Sequence, residues 1–314
     1  MSTLPTLLYF ADEQAAAERL ATAAGLNPVR VHSHRFPDGE VKLRLPPSLP
    51  ERVVIQRTLD QPDAKLVELL LTARTARELG ATHLTLVAPY LAYMRQDIAF
   101  NPGEAVSQRI IGRFLAELFD AIITVDPHLH RVARLEDAVP VAQAIVVSGA
   151  PLLADLIARQ RPGTLLIGPD AESAQWVAQA AARHGMDHAV CTKVRHGDRA
   201  VEVALPDVPL AGRVVVILDD VASTGHTVAT AARLLLAAGA ASVDVAVTHA
   251  LFAGDALQLL RDAGVAHVWS TDCIEHASNA IAIAPLLAQA LRDAGLVGLA
   301  GLTERAPLAT RLES

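Results

Sequence analysis

Lysine is nearly absent from this chain of 314 residues: Lys42, Lys65 and Lys193 are all there is, and arginine supplies the other 24 of 27 basic residues. A surface cation is therefore an arginine by default, and a lysine marks a place where a compact, rotatable ammonium serves better than a planar guanidinium. Cysteine is scarcer still. Cys191 and Cys273 are too few for a disulfide framework or a cysteine-built zinc site, which points to a reducing, cytoplasmic setting. Aromatic residues make up 4%, and the three tyrosines are Tyr9, Tyr90 and Tyr93. No uninterrupted apolar run reaches the roughly 18 residues of a membrane span, and the opening MSTLPTLLYFADEQ lacks a basic n-region, so neither span nor signal peptide is expected. Positive charge is not in excess either. A formal charge of -7 and a pI near 5.9 argue against a nucleic-acid surface.

What the chain does have is 52% hydrophobic composition, enough for two buried cores at this length. Val214–Leu218 is five apolar residues, three of them valine, and reads as a strand buried on both faces, as in a parallel sheet. Asp219 and Asp220 follow where that strand should leave the sheet, and open α/β sheets bind ligands at that edge. Ser223, Thr224, Gly225, His226 and Thr227 then form a short polar turn into an alanine-rich helix running to about Ala238. Amides and hydroxyls converging on a helix N-terminus make an anion cradle. Carboxylates beside such a cradle suit a sugar phosphate, because they accept from vicinal ribose hydroxyls while the amides hold the phosphate.

Elsewhere strand and helix alternate in the same way, giving an α/β fold of two tandem doubly wound parallel-sheet domains. Thr6–Phe10, Arg52–Arg57, His83–Ala88 and Ala121–Asp126 read as strands of the first half. Ala144–Gly149, Thr164–Ile167, Ser242–Ala250 and Ala266–Thr271 read as strands of the second. The expected division is 1–142, 143–296 and a tail, 297–314, without assigned structure. A faint repeat supports two similar halves, for LGATHLTLVAPYLAY (Leu79–Tyr93) parallels AGAASVDVAVTHALF (Ala238–Phe252).

Four other segments carry polar residues that a packed βα unit does not need. RFPDGEVKLRL places a Pro-Asp-Gly turn before a half-exposed strand. YLAYMRQDIAFNPGEAVSQR leaves the sheet through Pro89 and holds two of the three tyrosines, with Glu104–Leu118 expected as a helix after it. DPHLHR sets Asp126, His128 and His130 at one strand exit, and Gly168, Pro169 and Asp170 stand at another. Imidazole and carboxylate at a sheet's carboxyl edge suit Mg²⁺, which takes one or two protein ligands and completes its shell with water and phosphates.

DDVASTGHT resembles the phosphoribosyl-pyrophosphate loop shared by type I phosphoribosyltransferases and ribose-phosphate pyrophosphokinases (PRPP synthetases). FPDGE (Phe36–Glu40), YMRQD with FNPGEAVS (Tyr93–Ser107), DPHLH, GPD, KVR (Lys193–Arg195) and APLLAQAL (Ala284–Leu291) occur in the order of the second family, over nearly the whole chain, and look most like its archaeal-type branch. That resemblance implies a ribose-phosphate diphosphokinase of the cytoplasm that uses ATP, ribose 5-phosphate and Mg²⁺. It implies that Phe36, Asp38 and Glu40 hold adenine across a subunit interface, hence a homo-oligomer built from dimers, and that Arg95 and Gln96 contact ATP. His128 and Asp170 would help hold Mg²⁺. Lys193 and Arg195 would act catalytically from a mobile flap, and Asp219, Asp220 and Ser223–Thr227 would bind ribose 5-phosphate. Two departures stand out: His226 replaces a glycine, and Ile98 and Ala99 replace two basic residues expected near the nucleotide phosphates. The second favours the alternative of a catalytically weak or silent regulatory homologue. A phosphoribosyltransferase is the third alternative, against which FPDGE and RQD speak.

Overall fold

The computed structural model describes residues 5–129, 131–196 and 200–297, with backbone alone for 193–196 and 200–202. The first half comprises β1 (Thr6–Tyr9), α1 (Gln14–Ala24), β2 (Asn27–Arg30), β3 (His32–Arg35), β4 (Val41–Arg44), β5 (Arg52–Gln56), α2 (Pro62–Glu78), β6 (His83–Ala88), α3 (Ser107–Leu118), β7 (Ala121–Val125), α4 (Leu135–Ala138) and β8 (Gln143–Val147). The second comprises α5 (Ala150–Gln160), β9 (Leu165–Gly168), α6 (Ala174–His184), β10 (Asp187–Val190), β11 (Thr192–His196), β12 (Ala200–Ala204), β13 (Val214–Ala222), α7 (His226–Ala237), β14 (Ser242–Ala250), α8 (Ala256–Asp262), β15 (Val265–Thr271), β16 (Asn279–Ile281) and α9 (Ala284–Asp293).

Two six-stranded parallel sheets have the same plan. Their strand orders are β2-β1-β5-β6-β7-β8 and β10-β9-β13-β14-β15-β16, so every position in one has a counterpart in the other. The sequence repeat falls on that equivalence, because Leu79–Tyr93 runs through β6 and Ala238–Phe252 through β14, the fourth strand of each. Period-two alternation divides each strand between two cores. On the first sheet Leu8, Val53, Ile55, Leu84 and Leu86 pack toward α2 and α3, while Leu7, Val54, Val87 and Ile123 pack on the opposite face. The second sheet behaves likewise. Ile167, Val215, Ile217 and Val245 face α7 and α8, and Leu166, Val216, Leu218 and Ala246 face α5 and α6.

Three expectations need correcting. The strand expected at Ala144–Gly149 as the first of the second half is β8, Gln143–Val147, and it pairs with β7 as the edge of the first sheet. The final helix α9 also returns to the first sheet, where Leu287, Ala288 and Leu291 share a core with Leu20 and Ala21 of α1. Apolar stripes record that an element is covered, and carry no label for the sheet that covers it. The helix expected from Glu104 begins at Ser107 instead. Glu104 serves the preceding loop, its carboxylate accepting from the N–H groups of Phe100 (2.7 Å) and Asn101 (3.1 Å). The 298–314 part of the expected tail, and His130, lie outside the described residues.

Two antiparallel hairpins stand off the sheets, β3–β4 and β11–β12. The first carries Phe36–Glu40 at its tip, where the N–H of Phe36 bonds the Glu40 carbonyl at 2.8 Å and Gly39 takes φ 94°. Among the described residues no helix is long and apolar enough to cross a membrane.

Candidate active site

The main cleft of the second sheet arises from unequal strand lengths. β9 pairs with β13 only over Val215–Ile217, whereas β14 accompanies β13 as far as Ala222. Beyond Gly168 one side of β13 is therefore uncovered, and that open side is the crevice. Asp219 and Asp220 consequently lie inside β13, rather than after its end as expected, held extended by pairing to β14.

Local packing shapes the rim. Gly168 has no room for a side chain, since a Cβ there would come within 2.2 Å of Ser173 Oγ. That hydroxyl turns back to the Asp170 carbonyl at 2.6 Å, and the Asp170 carboxylate accepts from the Glu172 N–H at 3.0 Å, so the chain folds tightly into α6. Gly225 takes φ 75° as the N-cap of α7, a conformation costly for any residue with a Cβ. No side chain caps α7. Its first amides thus point from a twelve-residue helix toward the crevice with the positive end of the helix dipole behind them. The loop itself is pinned from β14's exit, where the N–H groups of Phe252 and Ala253 bond the carbonyls of Ala222 (2.9 Å) and Ser223 (3.0 Å).

The resulting cavity, about 260 Å³, gathers Asp170, Asp219, Asp220 and Ser223–Thr227 from the second sheet with Arg95 and His128 from the first. The join between sheets is short. His128 Nδ1 lies 2.6 Å from Asp220 Oδ2, and the other Asp220 oxygen accepts from the Val221 N–H at 2.8 Å. Burial acts to raise the Asp220 carboxyl, but the hydrogen bond and charge of His128 outweigh it and hold the group below its ordinary value. Asp219 goes the other way. Burial, then the charges of Asp220 and Asp170, push its carboxyl well above the ordinary range.

Beneath His128 sits an arrangement that the sequence did not disclose. Asp126 is 4% exposed and has φ 35°, and its carboxylate accepts from the Gly149 N–H (2.9 Å) and the Thr248 hydroxyl (2.8 Å). His249 Nε2, at the same level, donates to the Val125 carbonyl at 2.9 Å. These contacts tie the exit of β7 to β14 and so fix the loop that carries His128. A left-handed aspartate over-determined by buried bonds is the usual mark of a functional turn. Glu172 was also missed. It lines the cavity, its carboxylate 4.0 Å from His128 Nε2, and the only sequence hint was its place two residues after Asp170.

Arg95 reaches the cavity on a loop with its own supports. Tyr93, at φ 63°, donates its phenol to Asp63 of α2, and Asp97 accepts from the Arg131 guanidinium at 2.7 Å and the Arg131 N–H at 3.1 Å. Gln96 does not line the cavity; its side-chain oxygen accepts from the Ser107 hydroxyl at 3.2 Å. Ile98 and Phe100 stand exposed on the same loop. Phe36, Asp38 and Glu40 are not brought to the cavity by their own chain, for the β3–β4 tip is exposed and lines none of it. Lys193 and Arg195 fall on β11, opposite Val203 and Val201 of β12, and their side chains lie outside the described residues.

No group of three or more His, Cys, Asp or Glu side chains among the described residues is arranged to hold a metal ion on its own. The donors nevertheless suit a hard divalent cation. Carboxylate and imidazole from Asp170, Asp219, Asp220 and His128 share one cavity, and Asp219, raised first by burial and then by the charges of Asp220 and Asp170, is a carboxyl that a bound cation would help to ionise.

Residues 6–118 match the family profile described as the N-terminal domain of ribose phosphate pyrophosphokinase, and residues 142–290 match the phosphoribosyl transferase domain. The ribose-phosphate pyrophosphokinase of Methanopyrus kandleri is 34% identical over 278 residues, covering 88% of this chain and 94% of its own. That of Halobacterium salinarum is 36% identical over 289 residues, covering 91% of this chain and 100% of its own. The crystal structure of phosphoribosylpyrophosphate synthetase from Mycobacterium smegmatis superposes with a TM-score of 0.80 at 22% identity, over 93% of this chain and 99% of that one, a likeness of fold.

Proposed function

This chain belongs to the ribose-phosphate pyrophosphokinase family, and from that premise we propose that it transfers the pyrophosphoryl group of ATP to the 1-hydroxyl of ribose 5-phosphate, giving PRPP and AMP. The observation that carries the assignment of parts is the single cavity uniting Arg95 and His128 with Asp170, Asp219, Asp220 and Ser223–Thr227. The uncapped amides of α7 and the Ser223, Thr224 and Thr227 hydroxyls take the 5-phosphate, with Gly225 letting the backbone approach it. Asp219 and Asp220 accept from ribose hydroxyls. His128 keeps Asp220 ionised for that task, through the bond described above.

In the reaction a bond forms between ribose O1 and the β-phosphorus while the bond from that phosphorus to the bridging oxygen breaks. The electron pair leaves on AMP, and the hydroxyl proton is released. Charge in such a transition state lies on phosphate oxygens, so catalysis is positioning plus cations and needs no protein nucleophile. Arg95 supplies one cation from the first sheet, and Lys193 and Arg195 supply others from the β11–β12 hairpin. His128 and Asp170 would help hold Mg²⁺. The ion, when bound, neutralises phosphate charge. Gln96 orients the nucleotide from beside Arg95, and Phe36, Asp38 and Glu40 hold the adenine of a neighbouring copy, which makes the enzyme a homo-oligomer built from dimers. Its setting is the cytoplasm.

Purified protein incubated with ATP, ribose 5-phosphate and Mg²⁺ should release AMP and PRPP in equal amounts. ATP consumed to ADP, or no turnover by folded protein, overturns the assignment. One observation favours a second reading, a regulatory homologue of low activity: the loop after Arg95 presents Ile98, 36% exposed, and Ala99 where basic residues are expected.

A further inference from the structure

The first sheet has its own version of the ribose-phosphate crevice, which the transfer reaction leaves unused. In the two strand orders β1 and β5 stand where β9 and β13 stand. β1 and β9 each lead into a three-residue 3-10 turn, Ala11–Glu13 and Ala171–Ser173. β5 and β13 each lead to a helix with a left-handed N-cap, Gln61 at φ 50° and Gly225 at φ 75°. Equivalent topology opens an equivalent crevice. Here it is a cavity of about 600 Å³, floored by Asp12, Gln56, Asp60 and Lys65 of the first sheet and roofed by the Asp272–Ala282 segment that follows β15 of the second. Floor and roof touch, because the Thr58 hydroxyl donates to the Cys273 carbonyl at 2.7 Å.

The chemistry of this second crevice is reversed. Helix α2 opens on Pro62, which has no N–H, with Asp60 before it and Asp63 after it, and none of Gln61–Ala64, where the helix begins, lines the cavity. The Thr58 N–H is already taken by Glu13, at 3.0 and 3.1 Å. A phosphate would find no cradle, and it would meet the carboxylates of Asp12, Glu13, Asp60, Asp272 and Glu275 in the lining. The cations there are committed. Lys65 is 2.5 Å from Asp60, Arg19 is 2.8 Å from Asp272, and Arg57 beneath is shared among Asp12, Glu13 and Glu68. Burial pushes His276 below its ordinary value, so the imidazole adds no charge at neutral pH. Acceptors and negative charge remain in excess.

Gln56 gives that excess a direction. It lines the floor, is 2% exposed, and its Oε1 has no hydrogen-bond partner. A buried acceptor without a donor is costly, and a ligand N–H satisfies it. On the roof, Glu275 is exposed and makes no hydrogen bond or ion pair among the described residues. We infer that this cavity between the two sheets binds a small organic amine with two or more ammonium groups, a diamine or polyamine, one end on Gln56 with Asp12 and Asp60 and the other on Glu275. Such a ligand bridges floor and roof and therefore ties the two sheets together, independently of the ribose-phosphate crevice.

The test is calorimetric titration of the full chain with putrescine and, separately, spermidine at matched ionic strength and without nucleotide, alongside thermal melting. Saturable one-site binding and a raised Tm are expected. Gln56→Leu and Glu275→Gln should each weaken binding by roughly tenfold or more, the worth of one charge-assisted hydrogen bond. Glu117→Gln, which removes an exposed acid of α3 outside the cavity, should leave it unchanged. Absence of saturable binding at millimolar amine overturns the inference, as does undiminished affinity in both cavity variants when they melt like the parent. Phosphate or ADP binding that the same two substitutions abolish overturns it as well, since the cavity would then take anions. None of these readouts depends on turnover, so a failed transfer assay and a failed amine site are separable.

Discussion

Replacing Asp219 by asparagine should make the unliganded protein more stable and the enzyme worse. The carboxyl is half-buried, beside Asp220 and Asp170, and its affinity for a proton is raised in the folded state. A carboxyl raised on folding binds more protons folded than unfolded, so its ionisation opposes folding. The penalty is full above the folded value, and it fades as pH falls back toward the ordinary carboxylate range. Asparagine keeps the shape, and its side-chain oxygen can still accept from the Asp220 N–H as Asp219 does at 3.0 Å. Only the charge goes. Relief of such functional-site strain is worth about 1 kcal/mol, which for a chain of 314 residues raises Tm by about 1–2 °C. The ribose hydroxyls meanwhile lose a charged acceptor, worth roughly 1.5–3 kcal/mol, so kcat/KM for ribose 5-phosphate should fall about ten- to a hundredfold. Melting at pH 8 and at pH 5 without ligand or metal, with steady-state assays of PRPP formation, measures both effects. A Tm equal to or below the parent's at pH 8, or a gain that grows as pH falls, refutes the electrostatic account of the site.

Three further outcomes are expected. Lys193→Ala should lower kcat about a hundredfold with little change in either KM, because a flap cation meets its charge mainly in the transition state; near-parental turnover in steady-state assays would remove Lys193 from the reaction. Ile98→Lys combined with Ala99→Arg should lower the KM for ATP several-fold and leave that for ribose 5-phosphate nearly alone, and an unmoved ATP KM in folded protein would show that this loop does not address the phosphates. Arg57→Met should destabilise by about 3–5 kcal/mol in urea unfolding, since it leaves buried Glu68 without its cation and buried Glu13 with only Lys65, at 4.0 Å, and a loss under 1 kcal/mol would mean that the acids are protonated in the fold.

The sequence by itself determined the units of this protein. Valine runs and alanine-rich stripes specify buried strands and covering helices through periodicity, a property of neighbours in the chain, and the polar residues at strand ends had no packing reason to be there. Asp219, Asp220, Ser223–Thr227, His128, Asp170 and Arg95 were all legible as candidates on that ground, and all line one cavity. The ownership of β8 and α9, and the depth of the crevice, were decided only by tertiary structure. Gln143–Val147 and Ala284–Asp293 are amphipathic or apolar whichever sheet they join, and they join the first. Nothing local says that β9 stops at Gly168 while β13 continues beside β14, although that mismatch opens the site and draws the two acids into the strand. Asp126 was legible only as a carboxylate at a strand exit, and Thr248 and His249 escaped notice, for the same reason. Each is an ordinary residue at a strand end until the second sheet is set against the first, and only then do a buried carboxylate, a hydroxyl and an imidazole become the bonds that hold His128 beside Asp220.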